Sequence, residues 1–436
     1  MPIGIGLLGL GTVGAGVAEI LLSPRGRHPL VADLELRQVA VRDLNRPRPI
    51  PLSNNLLTTD PAAVVANPDV DLVVEVMGGL EPARSLILAA IEAGKAVVTA
   101  NKAVIARHGA EIAAAAAEKG VYVLMEAAVG GGIPILEPLK QSLGANRIAR
   151  ASGIINGTTN YILTRMSEEG ASYGDVLADA QALGYAEADP AADVEGGDAA
   201  DKIAILTGLA FGGLVDREAI PTEGINTLQT RDIDYAKELG FVVKLLAIAE
   251  RHGSDPDGSE VVDVRVHPTL VPKEHPLAGV NGVNNAIVVE GEPVGRVMFY
   301  GPGAGAGPTA SAVVADILNI AAIRQVGAGG PHDALDPLLA ASSWRNCRRV
   351  DQGSACHRNY VRFQAADRPG VIGHIGSCFG SAGVSLQSIV QFETEGSGAE
   401  IVVVTHAVEE SLFQQALSAI LERPEVEDVR CCLRTL

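Results

Sequence analysis

Over its first third the chain alternates short apolar runs with stretches of helical periodicity. Ile3–Leu8, Glu35–Val41, Asp71–Met77, Gly94–Thr99 and Tyr122–Glu126 have the length and apolar content of buried strands. Ala15–Leu22 and Ala103–Lys119 fall between them as helices. Strand and helix in alternation predict an α/β domain with a parallel sheet.

Further on the pattern changes. The apolar run ending at Ile155 leads into a polar turn, Asn156-Gly157-Thr158-Thr159-Asn160, suited to a small polar ligand. Alternating segments such as Val261–Val266 predict strands of a mixed sheet. The glycine-rich Phe299–Thr309 and a helix over Ser311–Ala322 either return the chain to the first domain or form a hinge. Residues 326–356, with Gly327–Pro331 and the basic Arg345–Arg349, read as a linker. From Asn359 onward the order strand, helix, two strands, helix, strand describes a βαββαβ module without an acid/base cluster of its own.

The first strand delivers Gly9-Leu10-Gly11-Thr12-Val13-Gly14 to the first helix. In the Rossmann dinucleotide fold the first glycine permits a tight turn and the second lets backbone approach a pyrophosphate. The third allows helix and strand to pack closely. The second strand ends in Val41-Arg42-Asp43, with Arg46 and Arg48 beyond. Arg42 suits a ribose 2′-phosphate and points to NADP(H), Asp43 keeps NAD(H) open, and a solvated loop is the plain alternative. Thr99-Ala100-Asn101-Lys102 lies at the carboxyl end of a strand, where open parallel sheets bind ligands. Lys102 then points to the nicotinamide end of the crevice, or Asn101-Lys102 simply cap the next helix. Glu126 leads into Val129-Gly130-Gly131-Gly132-Ile133-Pro134, a turn whose oxygens could hold a hard cation or which merely joins two domains.

The densest polar chemistry lies between Gly184 and Lys202. Glu187, Asp189, Asp193, Glu195, Asp198 and Asp201 lead to one ammonium, Lys202, after which the chain turns apolar. Gly196-Gly197-Asp198 reads as the start of a buried helix, which puts Asp198 and Lys202 four residues apart on one face. At a solvated helix start such a pair contributes only about 0.3–0.5 kcal/mol. Partly desolvated but paired, the lysine stays protonated and can donate.

Composition narrows the partners. At 436 residues the chain holds two to four domains, and its net charge of −18 opposes binding to nucleic acid or an anionic membrane. The start has no basic n-region, and no eighteen-residue stretch escapes Gly, Pro or charge, so a soluble, cytoplasmic chain is expected. The five cysteines, Cys347, Cys356, Cys378, Cys431 and Cys432, suit reduced thiols, and Cys347, Cys356 and His357 fit no compact zinc spacing.

In combination, Gly9–Gly14, Thr99–Lys102, Glu126–Pro134, Gly153–Asn160, Gly184–Glu187 and Asp198–Lys202 resemble the bacterial homoserine dehydrogenases with a C-terminal ACT domain, over nearly the whole chain. Asp367-Arg368-Pro369-Gly370 is similar to the ligand turn of ACT domains. The resemblance implies NAD(P)-dependent interconversion of L-homoserine and L-aspartate 4-semialdehyde, in threonine, methionine and isoleucine biosynthesis. It makes Lys202 the proton donor and Lys102 a second catalytic residue. Gly184, Glu187, Asp198, Asn156 and Thr158 become the substrate grip. Gly9, Gly11, Thr12, Val13, Gly14, Arg42, Thr99, Lys102 and Gly303 become the cofactor contacts. Glu126 with the carbonyls of Val129, Gly131 and Ile133 becomes a sodium site. An amino-acid effector at the ACT domain and a homodimer or homotetramer follow from the same resemblance.

The expected organisation is a Rossmann domain over 1–130, completed by about 305–325, and an α+β catalytic and dimerisation domain over 131–304. A linker over 326–356 and an ACT domain over 357–436 complete it. Trp344–Arg349, the Cys356-His357 pair and Ser385 depart from the family pattern. An aspartate-semialdehyde dehydrogenase would need a mid-chain thiol, and none precedes Cys347. The remaining alternative is a non-catalytic, dinucleotide-dependent amino-acid sensor.

Overall fold

Six parallel strands organise the first domain. β1 (Ile3–Leu8), α1 (Thr12–Leu22), β2 (Leu34–Ala40), β3 (Leu57–Thr58), α2 (Pro61–Ala66), β4 (Leu72–Glu75), α3 (Ala83–Glu92), β5 (Ala96–Thr99), α4 (Lys102–Lys119) and β6 (Val123–Leu124) follow in turn. The strand order β3-β2-β1-β4-β5-β6 reverses direction between β1 and β4, which opens a crevice at their carboxyl ends. Strands β1, β4 and β5 are buried at every position because helices cover both faces. This computed structural model describes residues 2–48, 50–256, 258–325, 345–393 and 398–436.

The second domain runs through α5 (Leu136–Lys140), β7 (Arg147–Ile154), α6 (Gly157–Glu169), α7 (Tyr173–Ala182), α8 (Ala191–Val194), α9 (Gly197–Phe211) and β8 (Gly213–Leu214). It continues through α10 (Thr230–Glu238), β9 (Phe241–Ser254), β10 (Glu260–Pro272), β11 (Asn284–Glu292) and β12 (Gly295–Pro302). The chain then returns to the first domain as α11 (Ala306–Gln325). Gly16 lets α11 approach α1, since a Cβ there would lie 2.7 Å from the Ala306 carbonyl oxygen. By length and composition α11 could cross a membrane. Its Val313, Ile317 and Ile320 instead share a buried cluster with Val17 and Leu21 of α1.

The last segment comprises β13 (Arg345–Arg349), β14 (Cys356–Ala366), α12 (Val371–Ser381), β15 (Leu386–Glu393), β16 (Gly398–Thr405), β17 (Val408–Glu409), α13 (Glu410–Leu421) and β18 (Val426–Thr435). Its sheet is continuous with that of the second domain, in the order β12-β11-β7-β9-β10-β18-β14-β16-β15. The junction is a short parallel pairing of β10 with β18, Thr269 opposite Arg434 and Leu270 opposite Thr435. Residues 345–349, expected within the linker, form β13 instead, a short strand parallel to β10 and β8. A polar sequence suffices there because its ladder partners are supplied by β10 and β8 rather than by an apolar pattern of its own. Gly327–Pro331 and Trp344 lie outside the described residues.

A buried ionic cluster reinforces this junction. Arg362 of β14 pairs with Asp232 of α10 at 2.8 Å and with Glu400 of β16 at 2.6 Å, and donates to Gln229 at 3.0 Å. The Tyr235 hydroxyl donates to Glu400 at 2.5 Å, and the Phe392 ring stacks on Tyr235. Removing one member of such a group costs about 3–5 kcal/mol, because its partners stay buried and charged.

Asp316, in the middle of α11, accepts the Glu126 N–H at 2.8 Å through one oxygen, while the other has no partner among the described residues. Burial pushes its carboxyl up to about 8. An acid raised on folding contributes stability that is full below its unfolded value and is lost as pH climbs towards the folded one. Asp316→Asn, which keeps an acceptor for Glu126, is therefore expected to raise the thermal midpoint more at pH 9 than at pH 5. Equal shifts at both values would show that Asp316 is not the titrating group.

Candidate active site

Strand β7 ends just before Asn156, which caps α6 by accepting the Thr159 N–H at 2.8 Å. That role consumes the amide oxygen and leaves Nδ2 to donate to Asp193 at 2.7 Å and Asp198 at 2.9 Å. Helix α9 starts after Gly196, whose φ of +87° is natural only for glycine, and so carries Asp198 in its first turn. Lys202, one turn on, donates to Asp198 Oδ2 at 2.8 Å and to the Ile155 carbonyl at 2.7 Å. Lys102, first residue of α4, reaches Asp198 Oδ1 at 3.0 Å from the other domain.

Burial alone would push the Asp198 carboxyl up. The Lys202 and Lys102 ammonium groups outweigh it and hold Asp198 well below the usual carboxylate range. The Asp198 charge in turn raises Lys102, against the opposing effect of burial. Asp193 is shifted the other way, upward, by burial and by the Asp198 charge beside it. One carboxylate is thus fixed as an anion between two cations, and the second, Asp193, is raised from its ordinary value.

The structure gathers Lys202, Lys102, Asp198 and Asn156 as the sequence predicts. Thr158 joins them, its hydroxyl donating to the Tyr185 carbonyl at 2.7 Å and lying 3.2 Å from Asp193. Gly184 occupies an exposed turn with φ +76°. Glu187 follows on the same turn, exposed, and its carboxylate makes no hydrogen bond or ion pair among the described residues. Asp193 is one of four acidic residues, with Asp189, Glu195 and Asp201, that the sequence leaves undecided between support of the site and ordinary solvated charge. Its place on α8, opposite Asn156, is set by tertiary packing, and no local pattern carried that signal.

A crevice of about 1320 Å³ opens beside α1, lined by Gly9, Gly11, Thr12, Arg42, Arg46 and Arg48, among others. It exceeds the usual size of a small-ligand pocket. A Cβ at Gly14 would lie 2.1 Å from the Gly9 carbonyl oxygen, whereas one at Gly11 would meet nothing within 4 Å, which leaves room for a ligand's phosphates.

Val13, Thr99 and Gly303 are not among the residues lining this crevice. Val13, in the first turn of α1, packs partly buried against the core. Thr99 is fully buried, its hydroxyl donating to Glu75 at 2.7 Å, so it braces the end of β5. Gly303 is buried against the Asn285 amide. The Glu126 carboxylate accepts the N–H groups of Ile135, Leu136 and Glu137 at the start of α5.

Comparison with known proteins agrees over the full length. The family model for homoserine dehydrogenase matches residues 134–318, that for the homoserine dehydrogenase NAD binding domain residues 9–126, and that for the ACT domain residues 359–425. A homoserine dehydrogenase of Synechocystis is 57% identical, with 100% of both chains covered. One of Mycobacterium tuberculosis is 45% identical over 99% of this chain and 97% of its own. The chain belongs to the homoserine dehydrogenase family.

The crystal structure of a homoserine dehydrogenase from Thiobacillus denitrificans superposes with a TM-score of 0.89 at 40% identity, covering 100% of this chain and 98% of that one. A hyperthermophilic archaeal homoserine dehydrogenase in complex with NADPH is 28% identical with a TM-score of 0.62, covering 74% of this chain and 98% of its own. As a homoserine dehydrogenase the chain is an NAD(P)-dependent oxidoreductase, and the crevice with its glycine turn fits a nicotinamide dinucleotide. The sensor alternative is thereby set aside.

Because burial and the Asp198 charge raise Asp193 from its ordinary value, kcat/KM for homoserine should fall as pH drops and Asp193 takes up a proton. Asp193→Asn is expected to lower kcat/KM by about 10–100-fold and to abolish this acid limb in a pH–rate profile. An unchanged limb in the variant would assign it to another group.

Proposed function

We propose that Lys202 is the proton donor in the interconversion of L-aspartate 4-semialdehyde and L-homoserine, with Asp198 and Lys102 as its electrostatic partners. The observation that carries this reading is the sharing of one buried carboxylate by both lysines. Of the three N–H groups of Lys202, two are taken by Asp198 and Ile155, which leaves one fixed donor. A nicotinamide bound at the crevice supplies the hydride in reduction and accepts it in oxidation. Charge developing on the aldehyde oxygen is met by the ammonium of Lys202, which then releases a proton to it. In the reverse direction Lys202 takes up the hydroxyl proton as the carbon gives up hydride. Asp193, with Thr158 and Asn156 around it, supplies the negative charge that an amino-acid ammonium needs, and Glu187 on its exposed turn offers another carboxylate.

The cofactor preference we propose is NADP(H), with NAD(H) also accepted. Arg42, Arg46 and Arg48 line the crevice beyond the second strand beside Asp43, while Glu19 and Glu81 line it elsewhere. We propose a sodium ion at Glu126 and the turn that follows it, held with the carbonyls of Val129, Gly131 and Ile133. The carbonyls of Val129, Gly131 and Ile133 are buried and accept no hydrogen bond among the described residues, a donor set suited to a hard cation.

For the ACT domain we propose an amino-acid effector at Asp367–Gly370, where Gly370 starts α12 and Asp367 accepts from Gln391 at 2.9 Å. A homodimer or homotetramer agrees with β12 as a free sheet edge carrying Tyr300, 58% exposed. Placement in the cytoplasm, within threonine, methionine and isoleucine biosynthesis, accords with the family and its reduced thiols.

Lys202→Ala is expected to lower kcat for homoserine oxidation by about 10²–10⁴-fold while the dinucleotide Kd changes little. Near-normal turnover would remove Lys202 from the chemistry. Native enzyme should show a higher kcat/KM with NADPH than with NADH, and Arg42→Ala should reduce that ratio by about ten-fold. A native preference for NADH would reject the phosphate role.

A further inference from the structure

Helices α4 and α9 carry Lys102 and Lys202 from different domains, and a second ion pair joins them away from the reacting groups. Arg107 of α4 binds Asp201 of α9 at 2.9 Å. Arg217, just beyond α9, binds the same Asp201 oxygen at 2.5 Å and donates to the Gly197 carbonyl at 3.0 Å. Glu218 accepts from Arg107 at 2.9 Å and balances the second guanidinium. Asp201 is 8% exposed, so its charge is held where water competes weakly.

The Lys102–Asp198 contact cannot by itself set the spacing of the two domains. Substrate brings an ammonium, a carboxylate and a reacting oxygen into competition for those same groups, so that contact must yield at each turnover. The Arg107–Asp201 contact uses none of the groups proposed to bind the substrate or move its proton. Asp201 lies on the same side of α9 as Asp198, three residues on, and Arg107 lies about one and a half turns along α4 from Lys102.

We infer that Arg107 and Asp201 are positioning residues that hold the cofactor domain in register with Lys202 and Asp198 for hydride transfer. The inference rests on the catalytic reading of Lys202 and Lys102. A loss of register of about 1 Å at a reacting centre costs on the order of 10²-fold in rate, while cofactor affinity, which is set at the glycine turn, is untouched.

The test compares Arg107→Met, Asp201→Asn and Arg107→Lys in the full chain, with Lys202→Ala alongside. Arg107→Met and Asp201→Asn should lose about ten-fold or more in kcat with dinucleotide KM unchanged within about two-fold, and Arg107→Lys should recover most of the loss. A kcat for Arg107→Met within about two-fold of native, a matching rise in dinucleotide KM, or no recovery in Arg107→Lys would overturn the inference. Should Asp201→Asn fail to fold, Arg107→Met decides alone, because that side chain is 26% exposed and its loss leaves Asp201 paired with Arg217. Turnover retained by Lys202→Ala would undo the catalytic reading itself, whereas an inactive Lys202→Ala beside a fully active Arg107→Met would undo only the positioning role.

Discussion

Asp198 is a carboxylate nearly removed from water whose charge survives because two ammonium groups reach it from different domains. Neither lysine is well placed without it. Lys102 stands at the first position of α4, where the helix dipole disfavours a cation, and Lys202 is itself mostly buried. Two helix starts must therefore converge on one oxygen pair, and the return of α11 to the first domain encloses the segment between them. This shared carboxylate brings the start of α4 against the substrate cluster, and the Arg107–Asp201 pair joins the same two helices farther along.

The parts of the site legible in the sequence were those fixed by local chemistry. The glycine turn could be read because each glycine answers a constraint set by its immediate neighbours. Asp198 and Lys202 could be read because a spacing of four on a helix determines a shared face. Asn156 was legible as a polar residue at the end of an apolar run, although its double use as cap and as donor to two carboxylates was not.

What escaped depends on partners distant in sequence. Asp193 and Asp201 look alike in an acidic run; one faces Asn156 and the other faces Arg107 and Arg217, and only packing separates them. Glu126 before a glycine turn left a cation site and a plain domain link both open, and the three N–H groups its carboxylate accepts at the start of α5 come from residues nine to eleven positions on. The β13 strand had no apolar pattern to announce it, since its ladder is supplied by β10. Thr99 and Gly303 are set by their immediate packing, the Thr99 hydroxyl on Glu75 and Gly303 against the Asn285 amide, and neither partner is close in sequence.

The junction of β10 with β18 limits how a signal can pass between the ACT domain and the catalytic domain. Successive side chains in a strand alternate faces, so sliding β18 along β10 by a single residue would turn the core face of the ACT sheet towards solvent. Translation along the strands is closed as a response. What remains is a change of twist between two halves of one sheet, pivoting at a two-residue ladder and resisted by Arg362 against Asp232 on α10. An effector at the ACT domain would act as torque rather than as displacement.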